Sequence, residues 1–183
     1  MKLYIQILVI FSVINCKPKD NFERVRIQNT SIELEQIKFS DISNIENKNN
    51  GIEYTKPFNI ALSKEYFPEI EKYQFEQPKI YRRDTTNLNT EISYFFTKND
   101  SIVRLIEYSW NQDDLKEHFI DNLYQSNKDM ISKSLSQKGI EKSEKIDYWW
   151  QKIVRWDNDS THIYSFIFGI DEGQRTRIIV RFK

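Results

Sequence analysis

The chain carries two histidines, and each has carboxylates near it in sequence. His118 follows Asp114 by four residues and precedes Asp121 by three, so on a helix all three share one side. A divalent cation accepts one imidazole with two carboxylates. Without a second histidine nearby the set is weak, and solvated charge pairing on a helix face accounts for the same pattern, so no metal is expected there. His162 shares strand parity with Tyr164, Phe166 and Phe168, which predicts a packed or rim histidine rather than a general base. Asp157 and Asp159 flank a short turn, where turn geometry alone selects aspartate. No serine or threonine stands in a GxSxG-type elbow. The four glycines, Gly51, Gly139, Gly169 and Gly173, build neither a GxGxxG nor a GxxxxGK loop. Serine acyl transfer and nucleotide binding therefore lack their usual signatures, and no cofactor is expected. What remains for catalysis is a small hydrolase using His118 or His162 with neighbouring carboxylates.

Alternation near the carboxyl end carries more information. In "QRTRIIVRFK", Thr176, Ile178, Val180 and Phe182 point one way, and Arg175, Arg177, Arg181 and Lys183 point the other. In "DYWWQKIVRW", Tyr148, Trp150, Val154 and Trp156 share a face opposite Trp149, Gln151, Ile153 and Arg155. If these strands lie near each other, Trp149, Arg155, Arg175, Arg177 and Arg181 make a mixed aromatic and basic surface. Tryptophan and arginine are favoured at binding hot spots, so such a surface suits a glycan, an acidic polymer or a protein partner. The plainer reading of the same residues is that arginine stems shield a half-buried tryptophan while acids such as Glu107 pair with them across the sheet.

Strands and one helix must position these residues. "EISYFFTK" and "SIVRLIEYSW", joined by "ND", read as a hairpin, with β-branched and aromatic residues on both arms. Over residues 111–138, Leu115, Phe119, Ile120, Leu123, Tyr124, Met130, Ile131 and Leu135 recur at helical spacing, with Gly139 as the predicted stop. "KIDYWWQKIVRWD", "THIYSFIFG" and "QRTRIIVRFK" follow as three strands joined by turn residues. The expected fold class is α+β: an antiparallel sheet of about five to six strands with one long amphipathic helix packed on one face. Pro57, Pro68 and Pro78 cut the preceding segment into short pieces. The domain is expected to span residues 54–183. Residues 16–53 are expected to be a mostly flexible tether, with a weak hairpin through Val25, Ile27, Ile32 and Leu34 and a joint, "SNIENKNNG", ending at Gly51.

Composition bounds the partners. With 183 residues the chain is long enough for one domain with a real core. Lysine plus arginine equal aspartate plus glutamate at 27 each, so no net field draws the protein to nucleic acid. A single cysteine excludes an intramolecular disulfide and a cysteine-based zinc cage. That cysteine stands at a border. Residues 3–14, "LYIQILVIFSVI", form an apolar run behind Lys2, and the chain turns polar directly after Cys16. The run is too short for a membrane-crossing helix, which needs about 20 apolar residues, and has the length of a secretory signal core. The sequence "Val13-Ile14-Asn15-Cys16" resembles the end of a bacterial lipoprotein signal, with Asn15 standing where glycine, alanine or serine is usual. The resemblance implies that residues 1–15 are removed and that the Cys16 sulfur carries lipid. It implies a membrane as partner and the bacterial cell envelope as location.

Overall fold

The structure, a computed structural model, describes residues 31–55, 64, 66–84, 88–111, 117–170 and 173–183. Its frame is built by β-branched and aromatic residues alternating with polar ones. The strands are β1 (Ile52–Glu53), β2 (Lys79–Arg82), β3 (Asn89–Phe96), β4 (Val103–Asn111), β5 (Ile140–Ile146), β6 (Trp149–Asp157), β7 (Thr161–Ile170) and β8 (Gly173–Phe182). They form one antiparallel sheet in the order β1-β2-β3-β4-β8-β7-β6-β5. Strands consecutive in the chain pair antiparallel within each half, β1 and β2 across a long connection and the others as hairpins, and the two halves meet where β4 pairs with the last strand, Ile106 opposite Val180 and Tyr108 opposite Ile178. Helix α1 (Phe39–Lys48) precedes the sheet, and helix α2 (Glu117–Leu135) carries the chain from central β4 to the far edge strand β5, lying across β7 and β8.

The helix side of the sheet holds the main core. Ile92, Tyr94, Ile106, Tyr108, Trp110, Ile163, Ile178 and Val180 are fully buried there against Ile120, Leu123, Tyr124 and Ile131 of α2. The opposite, outer side is smaller. Phe95, Leu105, Phe166 and Ile179 are capped by Phe67, with Tyr66, Ile70, Tyr73 and Phe75 packed around it. The residue 66–75 segment, including a single 3-10 turn at Ile70–Lys72, is thus a strap over the part of the outer face that holds Phe95, Leu105, Phe166 and Ile179.

The antiparallel sheet stands as expected, but it has eight strands rather than five to six, and the described residues hold two helices of 10 and 19 residues. The protein is β-dominated. The "KIDYWWQKIVRWD" stretch is not one strand: β5 ends at Ile146, Asp147 adopts a left-handed φ of 50°, and β6 starts at Trp149. Aspartate tolerates that conformation because its short side chain bonds locally. The helix also stops earlier than predicted. Ser136, at φ 50°, is the left-handed residue, and the bonds Ser136 N–H to Lys133 and Gln137 N–H to Ser132 close a Schellman motif. Gly139 serves packing instead, since a Cβ there would lie 2.2 Å from Val154 Cγ1 and 2.8 Å from Trp156 Cε2.

The largest departure lies ahead of Tyr54. Where the sequence predicts a tether and a flexible joint, residues 31–53 are ordered on the domain: Ile32, Leu34 and Ile37 lie against the main core, Phe39–Lys48 is helix α1, and Ile52–Glu53 pairs with β2 as an exposed edge strand. The Lys38 N–H donates to Asp41 Oδ2 at 2.9 Å and so caps the helix start. The helix buries only Ile42 and Glu46. Glu46 is fully buried because Arg83 Nε and Nη2 reach its two carboxylate oxygens at 2.9 and 2.7 Å, and the Tyr94 hydroxyl donates to the same group. Burial, with Tyr108 and Glu46 beside it, holds the Tyr94 hydroxyl protonated well above the ordinary phenol range. Gly51 lies against the same carboxylate, where a Cβ would stand 2.0 Å from Glu46 Oε2. Of the proposed hairpin, Val25 and Ile27 lie outside the described residues, as do Cys16 and the apolar leader.

Candidate functional site

Strand register decides which predicted residues meet. On the outer face, Gln151, Phe168, Arg175 and Asn111 stand in one row across β6, β7, β8 and β4, and Ile153, Phe166, Arg177 and Ser109 in the next. Arg155, Tyr164, Ile179 and Glu107 form the third row, and Asp157, His162, Arg181 and Leu105 the fourth. All five predicted binding residues, Trp149, Arg155, Arg175, Arg177 and Arg181, therefore share the outer face, as their parity predicts. They do not form one cluster. β7 separates β6 from β8 by two strand spacings, about 10 Å, and six residues of β8, about 20 Å, separate Arg175 from Arg181.

Two of the arginines are built into the face. Arg177 lies 5.5 Å over the Phe168 ring and pairs with Glu107 at 3.4 Å, and Arg181 lies 5.8 Å over Phe67. The shielding pattern is thus realised on phenylalanines, and Glu107 takes part as the sequence suggested. Arg155 and Arg175 are exposed and Trp149 is half-buried. Trp149 opens β6 at the same end of the sheet as Arg175, with half-buried Phe168 directly opposite Arg175 on β7. Among the described residues this corner places half-buried aromatic surface beside an exposed guanidinium. Such a corner holds a sugar ring by stacking or an acidic group by charge.

His162 sits at the other end of the face. Its Nδ1 lies 3.0 Å from Asp157 Oδ1, and Lys183 Nζ donates to the same oxygen at 3.0 Å. A carboxylate behind an imidazole is how an acid–base residue is oriented, yet among the described residues no hydroxyl bonds to this histidine. Burial first, then the charges of Arg181 and Lys183, hold the His162 pKa below its ordinary value against the opposing pull of Asp157. The unfolded chain therefore binds a proton that the folded state resists, and stability falls as pH drops through 6.5 toward the depressed folded value. His162→Gln is expected to flatten that part of the stability profile between pH 7 and 5, as measured by urea midpoints; an unchanged difference from wild type across that window would contradict the assignment.

The other histidine resolves less. His118 lies within α2, Asp114 lies outside the described residues, and Asp121 faces Lys152 at 3.9 Å. Among the described residues no group of three His, Cys, Asp or Glu side chains is placed to hold a metal ion. A groove of about 430 Å³, which the sequence did not reveal, runs between the second half of α2 and β5–β6, lined by Lys128, Ser132, Lys133, Gln137, Glu141 and Val154. It lies on the helix side, across the sheet from Trp149, and its rim is bridged by the Lys128–Glu141 pair at 2.9 Å. Only structure exposes it, because the Gly139 close approach that shapes its end is a non-local contact.

The class defined by these observations is an eight-stranded antiparallel single-sheet protein, helix-covered on one side and strapped on the other. No family model, no curated protein and no solved structure matches the chain. No helix among the described residues is long and apolar enough to cross a membrane.

Proposed function

We propose that the protein is a lipoprotein of a bacterial envelope, anchored through Cys16, whose folded body binds a protein or glycan partner without transforming it. The observation that carries this reading is the placement of the only cysteine directly between a leader-length apolar run and a polar chain. Cysteine is required at that border because its sulfur alone forms the thioether to diacylglycerol, and cleavage frees an amine for a further acyl chain. Two or more chains, each methylene contributing about 0.8 kcal/mol, hold a protein at a membrane durably. Binding is supported by the Trp149–Phe168–Arg175 corner, and among the described residues no hydroxyl bonds to His162.

Cys16→Ser is expected to move the protein from the membrane to the soluble fraction; unchanged membrane residence removes the anchoring role. Trp149→Ala combined with Arg175→Glu is expected to cut retention on purified peptidoglycan, or crosslinking to an envelope protein, at least about tenfold. The fold should survive with a loss of about 1 kcal/mol or less, because Arg175 is exposed and Trp149 half-buried. Retention equal to wild type in both assays would move the binding surface elsewhere.

A further inference from the structure

The sheet ends in an unpaired strand. β5 is the edge beyond β6, seven residues long, and among the described residues its backbone groups on one side have no neighbouring strand. All of Ile140, Glu141, Lys142, Ser143 and Lys145 are exposed, and Ile140 is 65% exposed. An open edge of this length is a template for another strand. What sets this one apart is its order of charges. The strand reads Ile-Glu-Lys-Ser-Glu-Lys-Ile, and reversed it places an acid wherever the original has a base.

We propose that β5 pairs antiparallel with β5 of a second copy of this chain, about a two-fold axis through Ser143, joining two sheets into one of sixteen strands. In that register Ile140 stands opposite Ile146, Glu141 opposite Lys145, Lys142 opposite Glu144, and Ser143 opposite itself. Every opposed pair has equal parity, so both copies of α2 lie on the same side and neither sheet is inverted. Cross-strand neighbours stand about 4.5 to 5.5 Å apart, within reach of ion pairing, and a two-fold interface forms every such contact twice. Slipping the register by two residues in either direction sets Lys142 against Lys142 or Glu144 against Glu144, and parallel alignment sets every charge against its like. The charges that guard an edge against general association thus select one partner and one register. Lys128 pairs with Glu141 at 2.9 Å, and Lys142 with Glu144, so the contact adds to existing pairs and needs no charge stripped of its partner.

Charge swapping tests this directly in the purified full chain. Wild type should sediment as a concentration-dependent dimer at about micromolar levels. Lys142→Glu with Lys145→Glu gives an all-acidic edge, and Glu141→Lys with Glu144→Lys an all-basic one; each alone should be monomeric, and an equimolar mixture should form a mixed dimer. Circular dichroism melts show whether each variant is folded. Ser143→Cys, in a Cys16→Ser background, should form a disulfide-linked dimer under mild oxidation, because facing Cβ atoms across a strand pair lie within disulfide reach; Ser160→Cys should not. Monomeric wild type at about 100 µM, or a dimer that persists in both single-charge variants, overturns the proposal.

Discussion

Arg83→Met is expected to lower the unfolding free energy by about 3 to 5 kcal/mol, because it leaves the Glu46 carboxylate buried without its cation. Glu46 is fully buried and the Arg83 side chain is 6% exposed, so water cannot replace the lost partner. The loss should fall on α1 first. Glu46 is one of only two buried residues in that helix, and Arg83 also donates to the Ser31 carbonyl at 3.2 Å, tying the incoming chain to the residue that follows β2. Urea unfolding gives the magnitude, and hydrogen exchange should show Phe39–Lys48 opening before the sheet. Combining Glu46→Leu with Arg83→Met should recover part of the loss, since an apolar pair avoids the stranded charge while the Tyr94 hydroxyl loses its acceptor. A loss under about 1 kcal/mol for Arg83→Met would mean that α1 is not docked through this pair.

Trp156→Ala is expected to cost about 3 to 5 kcal/mol, the range for truncating a large aromatic in a packed core. Trp156 is 1% exposed, its indole donates to Ser132 Oγ at 3.2 Å, and Gly139 lacks a Cβ where the ring passes. Truncation therefore empties the space where the end of α2 meets β6 and removes the indole's bond to the serine hydroxyl. Trp149→Ala, on the same strand but half-buried on the outer face, should cost about 1 kcal/mol or less. The contrast separates a tryptophan used for packing from one available to a ligand; equal losses would mean that both are core residues.

The contrast also shows how far the chain could be read without coordinates. Strands β3, β4, β7 and β8 were legible because each repeats at period two with β-branched or aromatic residues and is bounded by turn residues. The apolar stripe Ile120, Leu123, Tyr124 and Ile131 marked α2 in the same way. Helix α1 was not legible, since its buried stripe is one isoleucine and one glutamate, and a glutamate is buried only because Arg83, thirty-seven residues later, pairs with it. β5 hid for the opposite reason: as an edge strand it exposes both faces, and "IEKSEKI" reads as a solvated charge run. Parity placed Trp149, Arg155, Arg175, Arg177 and Arg181 on one face correctly. Strand order, a non-local property, then put β7 between them, giving Arg177 to Phe168 and Glu107 and leaving Trp149 at the same end of the sheet as Arg175 but two strands away.

The anchoring at Cys16 is tested most directly by intact and top-down mass spectrometry of the protein isolated from its native membrane. The expected product begins at Cys16 and carries the added mass of diacylglycerol on sulfur, with or without a third acyl chain on the new amine. A product that retains residues 1–15, or one whose Cys16 thiol is free, would contradict it.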